Sequence, residues 1–159
     1  MRYVPENPWV AVLLLLAAGG CVTGEEGGEA AQWAVAIFPS GAEYSLELAR
    51  TDQERALGYM FRQEVTSHEG MLFLFDATGV QPFWMRNCMV SLDIIWLDEK
   101  LQVVHIAQDA PPCPAGGECP SIEPSAASRY VLEVAAGQAA THGLRVGDVV
   151  VILSEPPLF

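Results

Sequence analysis

Trp84, Met85, Arg86, Asn87 and Cys88 stand side by side in FWMRNCMVSLDIIWLD, residues 83–98. A large aromatic beside a cation and an amide is the material of a pocket for a small polar ligand: the ring stacks, and the polar groups supply fixed donors and acceptors. Further along, Asp93 sits in an apolar run, where a carboxylate must find a partner or take up a proton. Two kinds of partner are in view. Arg55, Arg62 and Arg86 carry guanidinium forks that suit a buried carboxylate. Alternatively, if Asp98–Lys100 forms a three-residue hairpin loop, Leu97 faces Leu101 and Asp93 falls opposite His105. A shorter or longer loop loses that pairing. The resulting candidate ligand-binding set is Arg55, Arg62, Trp84, Met85, Asn87 and Asp93. An enzymatic alternative uses Asp93 as a general acid/base with an arginine clamping an anionic substrate. A third alternative is a structural or interaction module in which the same residues lock the core.

Other chemistries have less support. Met60, Met71, Met85 and Met89, with Cys88 and His105, are soft ligands of the kind that hold Cu(I). They are scattered over three segments without metal-ligand spacing, and methionine is a routine core filler, so neither a metal nor another cofactor is expected. No G-x-S-x-G motif is present. Cys88 with His105 is conceivable as a nucleophile and base, but a buried thiol without a nearby cation is inert. Cys113 and Cys119 bracket PAGGE inside a Pro/Gly-rich stretch. A C-x5-C pair without a neighbouring histidine is poor zinc spacing, so a disulfide is the preferred reading. Closing so small a loop contributes about 2.4 kcal/mol in the chain-entropy account, enough to trim a loop and not to hold a fold.

The elements that must position these residues are short apolar runs separated by turn signals, the pattern of an all-β sandwich or barrel. Candidate strands are 33–38, 44–50, 71–75, 83–97, 101–107, 130–135 and 149–153. Two short helices interrupt them. Thr51-Asp52-Gln53-Glu54 is a capping box, with Gly58 to end the helix. A second helix of a turn or two spans Gln138–His142, ended by Gly143. Neither is long enough to suggest a parallel crossover, so the expected fold is mainly β: a single compact antiparallel barrel or sandwich with two short helices. Residues 108–129 lack periodicity; five prolines and the paired cysteines make them a rigid wall or lid.

The N-terminus bears on the compartment. Residues 9–18, WVAVLLLLAA, are too short to span a bilayer comfortably and resemble a signal-peptide h-region. Gly19-Gly20-Cys21 follows and resembles the lipobox of bacterial lipoproteins, although Ala18 stands where leucine is commonest. The expected organisation is a lipoprotein signal peptide (1–20), a lipidated Cys21 with a flexible acidic tether (21–32), and a β-rich domain (33–159). An ordinary secreted protein and an uncleaved anchor are the alternatives. The tether 22–32 has an r.m.s. reach of roughly 18 Å if it is a flexible coil. The protein is then exported and membrane-anchored, facing the periplasm or the cell exterior. Its partners are the bilayer, through Cys21, and a small polar ligand or envelope component.

Charge excludes one partner class. The 159-residue chain is 51% hydrophobic, ample for one core, and carries a net charge of −12. Such an acidic surface argues against nucleic acid and anionic lipid.

The motifs ERALGYMFR (54–62), EGMLFLF (69–75), FWMRNCMVSLDIIWLD (83–98), APPCPAGGECPS (110–121) and RYVLEVAAG…HGLRVGDVV (129–150) occur in the order found in the prokaryotic family called domain of unknown function 192, which the chain resembles over roughly residues 33–153. The resemblance implies a compact β-rich domain, commonly exported or lipid-anchored, and no established reaction. The family pattern falls on Arg55, Gly58, Met60, Arg62, Glu69, Gly70, Met71, Trp84, Met85, Asn87 and Asp93, and it carries the paired cysteines. Arg86 replaces a usual lysine. Cys88 stands where threonine is favoured, which argues against a shared role for its thiol.

Overall fold

A computed structural model describes residues 33–114 and 116–158. The expected signal peptide, lipidated Cys21 and tether therefore lie outside the described residues. Nine elements follow in chain order: β1 (Trp33–Ile37), β2 (Glu43–Ala49), α1 (Asp52–Leu57), β3 (Glu69–Gly79), β4 (Leu92–Leu97), β5 (Val103–Ala110), β6 (Ser128–Ala135), α2 (Gln138–Thr141) and β7 (Val151–Glu155). The strands form one sheet in the order β5-β4-β6-β3-β2-β1-β7. The fold is mainly β with two short helices, as expected.

Two features of that expectation are corrected. The sheet is mixed, because β2 and β3 run parallel, with Leu46 beside Gly70 and Leu48 beside Leu72. Helix length was the wrong criterion. The whole stretch 50–68 makes the crossover, and it exceeds the dozen or so residues a parallel connection needs. Nor does the sheet close along its length. Its outer strands meet at one end only, where Gln102 bridges Val149. There the Val103 N–H donates to the Asp148 carbonyl at 2.8 Å and the Val150 N–H to the Leu101 carbonyl at 3.0 Å. The result is a partly closed barrel.

Strand alternation divides the core in two. Ile95, Leu97, Leu132, Val134, Leu72, Leu46 and Phe38 face the inside of the curl. Leu92, Ile94, Trp96, Val131, Phe73 and Met71 face outward from the central strands. Tyr59, Met85 and residues from the 110–122 stretch cover that outer layer. The capping box forms at α1: the Glu54 N–H donates to Thr51 Oγ1 at 3.2 Å, and the Thr51 N–H donates back to Glu54 Oε2 at 2.8 Å.

Candidate functional site

Three segments meet over the outer core layer: the turn after α1, residues 83–90, and the proline-rich loop. The 83–90 stretch is not strand, apart from an isolated bridge between Phe83 and Ile122. It is a turn held by main-chain bonds. The Met85 carbonyl accepts from both the Cys88 N–H and the Cys113 N–H, each at 3.3 Å, which ties this turn to the loop. The Asn87 carbonyl accepts from the Phe61 N–H at 2.8 Å, which ties it to the post-helix turn. Asn87 and Phe61 both adopt positive φ, 56° and 65°. Asparagine tolerates that region; a bulky phenylalanine does so only where its surroundings impose it. Met85 plugs the layer below and is 2% exposed.

Between these segments lies an open cleft of about 830 Å³, lined by Phe61, Arg86, Asn87, Met89, Glu118 and the Cys113–Cys119 disulfide, among others. The disulfide and the wall that the loop was expected to form are both present. The Arg86 guanidinium lies 4.6 Å from the centre of the Trp84 ring, which pins its plane while leaving its edges open. Cys88 is half-buried at the back of the cleft, and burial raises its thiol to about 11, so it is protonated at neutral pH.

Of the six candidate ligand-binding residues, only Asn87 lines this cleft. Arg55 donates to the Arg50 and Leu74 carbonyls and pairs with Asp52. Arg62 makes a two-pronged pair with Glu47 and stacks over Tyr59. Trp84 backs Arg86 and Met85 is core.

Asp93 requires a correction. It alternates with Ile95 and Leu97 on the inner side of β4, away from the cleft, and is wholly buried. Neither His105 nor any of the candidate arginines Arg55, Arg62 and Arg86 is its partner. Leu97 pairs with Val103 instead of Leu101, because the Asp98 side chain takes the N–H groups of Lys100 and Gln102 and widens the turn. His105 thus pairs with Trp96 and bonds Ser125. Asp93 accepts two backbone amides instead: the Asp109 N–H at 2.8 Å, presented by a bulge with φ +48°, and the Ala139 N–H at 2.7 Å in the first turn of α2. Gly137, the N-cap of α2, has no side chain to offer, and Asp93 does that job from β4.

The buried carboxylate on the site side is one the sequence reading passed over. Glu133 on β6 lies between Met71 and Ile94, and burial raises its carboxyl to about 8. Its Oε2 lies 3.8 Å from where a Cβ on Gly58 would stand. The Tyr59 hydroxyl is also buried without a hydrogen-bond partner, and burial, with Glu47 and Glu133 nearby, pushes its ionisation well above the ordinary range. In sequence, Glu133 reads as the solvent side of RYVLEVA. Only the position of β6 between β3 and β4 buries both its faces.

With this geometry in view, the chain can be set among its relatives. It belongs to the domain of unknown function 192 family, described as uncharacterized ACR, whose family model matches residues 35–152. Among solved structures it is similar to a protein of unknown function from Novosphingobium aromaticivorans DSM 12444, at 35% identity and a TM-score of 0.68, covering 76% of this chain and 84% of that one. It is also similar to a protein from Sinorhizobium meliloti 1021 that carries the provisional label of transcription regulator, at 27% identity and a TM-score of 0.68, covering 79% of this chain and 95% of that one. No curated protein matches the chain.

Proposed function

We propose that the protein is a lipid-anchored, extracytoplasmic binding domain whose cleft takes a small polar ligand or a component of the cell envelope. The supporting observation is the lining: a guanidinium (Arg86), a carboxylate (Glu118) and an amide (Asn87) beside an exposed aromatic (Phe61), on walls stiffened by a disulfide and prolines. Charged groups of both signs beside a planar apolar surface suit a sugar acid or an amino acid. Stiff walls lower the ordering cost of binding.

The enzymatic alternative loses its support at Asp93, whose oxygens are occupied by two amides inside the core. Nor does the regulator label of the Sinorhizobium protein transfer easily. A net charge of −12 repels phosphate, and the longest helix among the described residues, α1, has six residues, too short to read a groove.

The test is thermal-shift screening of the full chain in detergent against envelope sugars, sugar acids, amino acids and short peptides. A ligand that raises the melting temperature should lose at least about tenfold in affinity in Arg86→Ala, while Arg62→Ala stays within about twofold of the parent. A shift that survives Arg86→Ala would place the ligand elsewhere. Acyl mass on Cys21 tests the anchor separately.

A further inference from the structure

β7 is an outer strand of the sheet, and its outward face is apolar. Val149, Val151 and Leu153 recur at the strand period of two, and each is about half exposed, as is Trp33 at the start of β1. The antiparallel register sets Leu153 against Val35 and Val151 against Ile37, so two half-buried residues complete the strip. Its borders are acidic: Glu43 lies beside Ile37, and Glu155 lies beside Trp33. No lysine or arginine occurs in β1, β2 or β7. A contiguous apolar strip of this kind marks a contact surface.

Its place in the chain says what meets it. Trp33 stands only twelve positions after Cys21 in the sequence, so the two are joined by a short stretch of chain, roughly 40 Å at the very most. A lipid on Cys21 therefore holds this end of the sheet at the bilayer surface. Tryptophan and branched aliphatic side chains suit the headgroup boundary. The strands of this face carry carboxylates and no cation of their own, and Arg62 beside it is already engaged by Glu47, so the face favours a zwitterionic surface over an anionic one. We infer that the β1–β7 face rests on a zwitterionic phospholipid surface and holds the anchored domain in one orientation. The inference rests on the lipid-anchor reading above.

The experiment uses the full chain with its native lipid, in a Cys88→Ser background, reconstituted into phosphatidylcholine vesicles that contain a headgroup nitroxide quencher. A fluorophore is attached through Leu153→Cys or, as a control on the exposed loop, through Glu123→Cys. Quenching at position 153 should exceed that at 123 by about threefold or more, shrink when anionic lipid is mixed in, and vanish on adding Val151→Glu. Equal quenching at the two positions in a chain bearing acyl mass on Cys21 overturns the docking and leaves the anchor standing. Absence of acyl mass overturns the anchor and the docking together. Self-quenching at 153 that follows protein density and ignores the nitroxide lipid assigns the face to a second copy of the chain, which also overturns the proposal.

Discussion

Two buried carboxylates lie on adjacent strands in different surroundings. Asp93 receives two amide N–H groups; Glu133 lies between Met71 and Ile94, and burial is what raises its carboxyl. Glu133 ionises near 4.5 when unfolded and at about 8 when folded. Between those values the folded state holds the extra proton, so its contribution is fully present below the lower value and is lost as pH rises through the upper one. Glu133→Gln should therefore flatten the fall in stability between pH 5 and pH 8. It should also leave the variant roughly 2–4 kcal/mol more stable than the parent at pH 8.5, measured by urea unfolding. Asp93→Asn should destabilise the fold. The amide presents N–H where an N–H already points, at a cost of about 2–3 kcal/mol in the same measurement, with α2 loosened first in hydrogen exchange. Cys88, with its thiol near 11, should react with iodoacetamide at pH 7.5 more than about tenfold slower than a free cysteine and speed up with rising pH.

The elements around the cleft are irregular and hold their shape through a few main-chain bonds. Gly58 ends α1 at φ +45°, and a Cβ there would stand 3.3 Å from Phe73 Cζ. Gly58→Ala combines backbone strain with crowding and should cost about 1–3 kcal/mol, read from the denaturation midpoint. The disulfide closes a span of six residues, so reducing it should cost the domain only about 2 kcal/mol. Its effect on the cleft is larger, because the loop is one wall. Ligand affinity should fall several-fold on reduction while the sheet stays folded by circular dichroism. The capping box and Gly58 were legible in the sequence because such signals act between residues three or four apart. The crossover, the widened turn after Asp98 and the bulge at Asp109 were not, since each depends on which strands lie beside which.

At the scale of the whole molecule, a net charge of −12 on a chain of 159 residues produces self-repulsion. Raising NaCl from about 10 mM to about 300 mM shortens the screening length several-fold and should raise the melting temperature by a few degrees. The amino-acid sequence by itself determined the mainly β class, the family, the short helices, the disulfide pair and the acidic surface. The family rests on a resemblance carried by motifs in a fixed order, and the others on composition, on period-two alternation and on contacts close along the chain. Only the tertiary structure decided that Asp93 faces inward to cap α2, that Glu133 is the buried acid on the site side, and that Arg86 and Phe61, more than Arg55, Arg62 or Met85, face the cleft. The physical reason is that a strand tells a residue which other residues share its side. The order of strands in the sheet tells it whether that side meets water, and here that order, with β6 inserted between β3 and β4, is set by pairings across distant parts of the chain.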